Sequence, residues 1–194
     1  MKDAAPLSRL PLALLGLSSL APQSGYGLKK FFESTPMGHF SASPGAIYPA
    51  LERLESEGLL EGALERSRTL RPRKRYTLTE KGRRALRDTL LLPVTREDVV
   101  WRLDELALRF SFMGHLVSRA QSLDFLRAYL KETESYAREL QAQAKAFRPG
   151  FAPHGRLAVE LGLEQYLGSV RWARRALKEI QALKARHDSP GDAS

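Results

Sequence analysis

The chain of 194 residues has no cysteine, which excludes disulfides, thiol nucleophiles and thiolate metal sites. Its four histidines, His39, His115, His154 and His187, lie on separate segments with no ligand spacing between them. No glycine-rich loop of the phosphate-cradling kind is present, and no serine or threonine is matched by a histidine and carboxylate set. Enzyme chemistry therefore has little foothold, and neither a metal nor a cofactor is expected. Long apolar runs are missing too. Leu10 to Leu20 is apolar, but Pro11, Gly16, Ser18 and Ser19 interrupt it and it is too short to span a bilayer. Lys2 and Arg9 precede it as they would in a signal peptide, yet a first core helix of a cytoplasmic domain is the better reading, with no membrane partner. Acidic residues are the scarcer charge: 22 Asp and Glu against 31 Lys and Arg, a net charge of +9. Such an excess favours a polyanionic partner without distinguishing DNA from RNA or an acidic surface.

What is present is 43% hydrophobic and long enough for one large domain or two small ones. A break near Leu92-Pro93 separates a half of net charge +6 from one of +3. The expected organisation is a DNA-binding domain over 1–92, a helical domain over 93–187 and a disordered tail over 188–194. The first half reads as helix, helix, helix, hairpin, helix. Pro11 sits in a first helical turn that tolerates it. Gly25-Tyr26-Gly27 opens a second helix, which Thr35-Pro36-Met37-Gly38 ends. Ser43 is the expected N-cap of a third, with Pro44 at its first position, Ile47, Leu51 and Leu54 on one buried stripe, and Gly58 as its stop. Strand-like pieces follow around Leu59–Leu64 and Arg75–Leu78, and Thr79-Glu80-Lys81-Gly82 starts a fourth helix.

A short helix feeding a hairpin with a cationic tip is how a winged helix-turn-helix presents itself to DNA. A recognition helix brings its first turn to base edges, so small or flat residues belong there. Ser43, Pro44, Gly45 and Ala46 meet that need, and Tyr48 is expected to project toward a phosphate or the groove floor. Pro49 falls in the second turn of a helix begun at Pro44, where it removes the bond to the Gly45 carbonyl and favours a kink. Between Arg66 and Lys81 there are seven cations and one acid. Arg66, Arg68, Arg71, Arg73 and Lys74 are the wing candidates for phosphate or minor-groove contact, with Arg75 pointing away. Tyr26 can donate its phenol to a phosphate, or it can pack on the third helix. An RNA- or protein-binding winged helix without operator specificity is the alternative.

The second half is nearly all helical. Thr95 with Asp98, and Ser118 with Gln121, form capping boxes. Val99, Leu103, Leu106, Phe110 and Met113 recur at helical steps after the first. After the second, Leu123, Leu126, Leu130, Thr133, Ala137, Leu140, Ala144 and Phe147 keep a seven-residue repeat. Arg148 to Gly155 is a loop, and Leu163, Tyr166, Val170, Ala173, Leu177 and Ile180 pattern the last helix. Two such helices should pack antiparallel and complete their core through a second copy. Leu126, Leu130, Leu163, Tyr166, Val170, Leu177 and Ile180 are the expected dimer interface. Trp101 and Trp172 either pack or line a pocket for a small molecule.

The residues Leu15-Gly16-Leu17, Gly25-Tyr26-Gly27-Leu28, Ser43-Pro44-Gly45-Ala46-Ile47-Tyr48-Pro49-Ala50-Leu51, Arg53-Leu54-Glu55, Glu57-Gly58-Leu59 and Tyr76-Thr77-Leu78-Thr79-Glu80-Lys81-Gly82 resemble the PadR family of transcriptional regulators. They span most of residues 10 to 86. Leu157-Ala158-Val159-Glu160-Leu161-Gly162 and Tyr166 resemble the last helix of the family's longer members. The resemblance implies a mainly α fold, a winged helix-turn-helix followed by an all-α dimerisation domain. It also implies a homodimeric repressor that binds a palindromic operator on double-stranded DNA and is released by a small molecule. It carries Tyr48, the Ser43 turn and the basic wing over as DNA contacts. Where members commonly have Thr or Ser, this chain has Ala46, so a hydroxyl contact is lost.

Overall fold

The computed structural model describes residues 6–40, 44–65, 73–146 and 153–183. It divides into two compact units, Met1–Leu92 and Pro93–Ser194.

In the first unit, α1 (Arg9–Leu20) is apolar around most of its circumference, and Leu12, Ala13, Leu14, Leu15 and Leu17 are all buried, as befits a central helix. Ser24 caps α2 (Gly25–Ser34) by accepting from the Gly27 N–H at 3.0 Å. Leu28 and Phe32 point inward, and a 3₁₀ turn over Pro36–Phe40 follows. A second 3₁₀ turn, Pro44–Ala46, leads into α3 (Ile47–Ser56), whose Ile47, Leu51 and Leu54 form the anticipated buried stripe. The expected Ser43 cap lies outside the described residues. Because the α-helix begins at Ile47, Pro49 stands in its first turn and not its second. A first-turn N–H has no intrahelical acceptor, so the proline costs α3 no bond and need not kink it.

Gly58 ends α3 at φ +69°, the one non-negative φ among the described residues. Its N–H reaches the Glu55 carbonyl and the Leu59 N–H reaches the Leu54 carbonyl, both at 2.8 Å, the paired closure of a Schellman motif. The chain then enters β2 (Leu60–Glu65), which pairs antiparallel with β3 (Arg73–Leu78), Gly62 facing Tyr76. A two-residue strand, β1 (Gln23–Ser24), pairs with the other edge of β3, giving the order β1-β3-β2. Nothing in the sequence marks this strand. Two residues are too few to show an alternating pattern, and Ser24 reads as a helix cap, which it also is. Thr79 caps α4 (Glu80–Leu90), which buries Leu86 and Leu90 and packs on α1.

In the second unit, both capping boxes form: Thr95 with Asp98, and Ser118 with Gln121. The run from Val99 to Met113 is not one helix. It breaks at Arg102 (φ −138°, ψ 33°) into α5 (Arg96–Trp101) and α6 (Leu103–Ser111). Val99, Leu106 and Met113 are buried as the spacing expects, Leu103 and Phe110 remain half-buried, and Leu108, Arg109 and Phe112 are buried outside the pattern. α7 (Arg119–Ala146) and α8 (Pro153–Ala182) run antiparallel. The Arg119 guanidinium near the start of α7 meets the Ile180 carbonyl near the end of α8, and Arg174 pairs with Glu134 at 2.7 Å further along. Thr133, Ala137, Ala173 and Ala176 keep the seam narrow. The Thr133 hydroxyl, fully buried, donates to the Tyr129 carbonyl at 2.6 Å and so leaves no polar atom unsatisfied there. Among the described residues no helix is long and apolar enough to cross a membrane, and no cluster of three metal-ligating side chains occurs.

Candidate nucleic-acid interface

The first turn of α3 stands in the open. Gly45 and Pro49 are exposed, Ala46 is half-buried, and Tyr48 keeps 42% of its surface accessible although it follows the fully buried Ile47. What holds the Tyr48 ring is Gly25, the first residue of α2. A Cβ on Gly25 would lie 2.8 Å from Tyr48 Cε1, closer than non-bonded carbons approach. The absent side chain thus gives the ring its seat and fixes the direction of its hydroxyl.

The next residue, Tyr26, is 58% exposed and does not pack away under α3. The Arg73 guanidinium of β3 sits over its ring, 5.8 Å from the centroid. Tyr48, Gly25, Tyr26 and Arg73 therefore form one continuous surface from α3 across α2 to the outer end of the β2–β3 ladder, where Arg73 pairs with Glu65. A guanidinium stacked on a ring is oriented without using its N–H edges, which stay available to an anion.

The remaining cations of β3 are engaged differently. Lys74 Nζ lies 2.5 Å from Glu55 Oε2 of α3 and 5.6 Å from the centroid of Tyr76. The hydrogen bond to Glu55 raises the Lys74 ammonium above its ordinary range. Burial pushes the Tyr76 phenol upward. Arg75 points the other way and donates to the Pro22 carbonyl at 3.4 Å. Lys81 donates to the Glu57 carbonyl at 2.6 Å, complementing the C-terminal end of α3. Arg66, Arg68 and Arg71, like Ser43, lie outside the described residues, and nothing is described of the Pro44 side chain.

Glu55 and Gly62 did not enter the sequence reading of this surface. A glycine inside a strand pattern marks a close approach, and Gly62 carried that signal. Glu55 carried none, because its partner is a lysine 19 positions away.

In the second unit Leu126 and Val170 are buried within the single chain, at 0% and 6% exposure, whereas Leu130, Leu163, Tyr166, Leu177 and Ile180 are half-buried. Tyr166 donates to the Val99 carbonyl at 3.0 Å and meets the Tyr136 ring edge-on. The two tryptophans part company. Trp101 is 76% exposed, while Trp172 packs edge-on against Phe110 and Tyr129. Beside Tyr129 and Trp172 a hollow of about 320 Å³ is completed by Ala107, Gln165, Gly168 and Ser169.

Comparison with known proteins covers both units. Residues 14–88 match the transcriptional regulator PadR-like family, and residues 104–181 match the virulence activator alpha C-terminal domain. The negative transcriptional regulator PadR of Bacillus subtilis (strain 168) is 27% identical over 179 residues, which cover 88% of this chain and 97% of that protein. The transcriptional regulator YqjI of Escherichia coli (strain K12) is 34% identical over 73 residues, 38% of this chain and 33% of the relative. Among solved structures, Bacillus subtilis PadR in complex with operator DNA matches 88% of this chain and 98% of its own, at 28% identity and a TM-score of 0.41. With a helical winged-helix unit followed by an α7–α8 hairpin, and a family match on each, the chain belongs to the PadR-like family of DNA-binding transcriptional regulators, non-enzymatic proteins, and carries the virulence activator alpha C-terminal domain.

Proposed function

We propose that this regulator is a homodimeric repressor that binds an inverted-repeat operator through the α3 turn and the wing and is released by a small molecule. The observation that carries the reading is the Tyr48–Gly25–Tyr26–Arg73 surface, in which two tyrosines and a guanidinium converge beside an uncluttered helix start. Gly45, Ala46 and Pro49 leave room for base edges, Tyr48 reaches the groove or its rim, and Tyr26 and Arg73 hold the phosphate backbone. Ser43, Pro44, Arg66, Arg68 and Arg71 are assigned to DNA contact from the sequence alone. In the second unit, domain 93–187 supplies the dimer. Its half-covered Leu130, Leu163, Tyr166, Leu177 and Ile180 gain cover from a second copy, around the already buried Leu126 and Val170. Repression and release are supported by the Bacillus subtilis relative, a negative regulator whose structures include complexes with operator DNA and with p-coumaric acid. The hollow beside Trp172 offers space for a ligand but lines it with no charged side chain. A phenolic acid is therefore not the ligand we assign.

Tyr48→Ala tests the reading. The variant should keep its helical content by circular dichroism and lose operator affinity in a gel shift, by about 1–3 kcal/mol if the ring reads a base and by less if it meets a phosphate. An unaltered shift removes Tyr48 from the interface.

A further inference from the structure

The neighbouring wing cations Arg73 and Lys74 have opposite surroundings. Successive residues of a strand point to opposite faces. Arg73 accordingly lies over Tyr26 on the α2 side, while Lys74 turns toward α3 and meets Glu55 at 2.5 Å. That pair occupies a notch made by Gly62 of β2. A Cβ on Gly62 would overlap the Lys74 side chain and stand 2.5 Å from Glu55 Oε1. Gly62 also faces Tyr76 across the ladder, and the Tyr76 ring forms the second wall against the Lys74 ammonium. One carboxylate from the recognition helix, one ammonium from the returning strand and one missing side chain on the outgoing strand thus meet where the wing joins α3. Side-chain exposures of 40% for Lys74 and 28% for Glu55 show a partly covered pair, unlike the 76% exposed Arg53 that pairs with Glu57 along the helix surface.

We propose that Lys74 is a positioning residue and not a phosphate ligand. With Glu55 and Gly62 it fixes the angle of the wing against the recognition helix, and Arg73 on Tyr26, at the outer end of the ladder, is the phosphate contact of the wing. An ammonium hydrogen-bonded to a carboxylate has its charge compensated and releases no counterion on binding DNA. An arginine stacked on a ring retains its charge and its donors. The two residues, adjacent in sequence and both basic, therefore leave different marks on the salt dependence of binding.

The test is the slope of log affinity against log salt for full-length protein on operator and on random duplex. Each phosphate contact contributes about 0.9 to that slope. Arg73→Ala should lower it by about 0.9 on both DNAs. Lys74→Met should leave the slope on random duplex unchanged and reduce the operator-to-random affinity ratio several-fold, because the wing loses its register with α3. Glu55→Gln provides the second variant. It frees the ammonium, so the slope should steepen while the same ratio falls. Gly62→Ala, which displaces the pair without removing a charge, should resemble Glu55→Gln. A loss of about 0.9 in slope for Lys74→Met, or Glu55→Gln indistinguishable from wild type in both slope and ratio, overturns the proposal. It rests on the operator-binding reading only through the ratio. A wild-type protein with no preference for operator would sink that reading, while the slopes on random duplex would still decide the role of Lys74.

Discussion

Gly25 and Tyr48 are two halves of one device. The ring has its place because the glycine has no side chain, so Gly25→Ala should act as a displaced Tyr48. The 2.8 Å contact cannot be kept, and the flexible partner is the exposed ring and not the backbone. The expected outcome is a fall in DNA affinity in a gel shift that exceeds any loss in the urea midpoint. An equal loss in both would mean that the fold, and not the ring, was disturbed. Neither residue announces this pairing in the sequence. Gly25 reads there as a helix-opening residue, and the approach of α2 to α3 is a tertiary fact.

Two tyrosines of the second unit, the buried Tyr129 and the half-buried Tyr166, make a pH prediction. Burial raises the phenol pKa of both Tyr129 and Tyr166 above the ordinary value of about 10. A raised folded-state pKa means that the folded chain holds its proton over a window in which the unfolded chain has released it. The associated stability is complete below about pH 10 and is lost as pH rises through the folded values. Tyr129→Phe should flatten the alkaline fall of the thermal midpoint followed by circular dichroism. An identical fall in the variant would contradict the assignment.

At the scale of elements, α3 is bounded by a start and a stop of different kinds. Its stop was legible because Gly58 obeys a local rule: a left-handed residue that satisfies the last carbonyls through its own N–H and that of Leu59. Gly58→Ala should cost about 1–2 kcal/mol, read from a denaturant titration. A neutral substitution would mean that the turn can be closed another way. The start was less legible. Capping signals do not separate a 3₁₀ turn from an α-helical one, so in the sequence Pro44–Ala46 looks like part of the helix and Pro49 falls a turn deeper than it stands. The same limit hides the break at Arg102. Hydrophobic spacing carries across a one-residue interruption, since Val99 and Leu106 are both buried on either side of it. The long helices were easier. Of the seven-residue repeat of α7, Leu123, Leu126, Thr133, Ala137 and Leu140 are buried and Leu130 and Ala144 half-buried, Phe147 lies outside the described residues, and Phe125 and Tyr129 are buried off the repeat.

At the scale of the molecule, the chain is mainly α with one three-stranded sheet, and its two longest helices form an antiparallel hairpin in the second unit. The basic excess set the class of partner, and the motifs around α3 and β3 set the family. What charge and motif do not contain is the division of labour among the cations, because that depends on which face of β3 each occupies and on Glu55 opposite. The central claim is that two copies of the chain read an inverted repeat. The direct measurement is a footprint of the full-length protein on the DNA beside its own gene, with the number of chains bound determined on the protected fragment. Two chains are expected on a site with two-fold symmetry, its half-sites centred one helical turn, ~10–10.5 base pairs, apart or a multiple of it. A single bound chain, or protection with no two-fold symmetry, would contradict it.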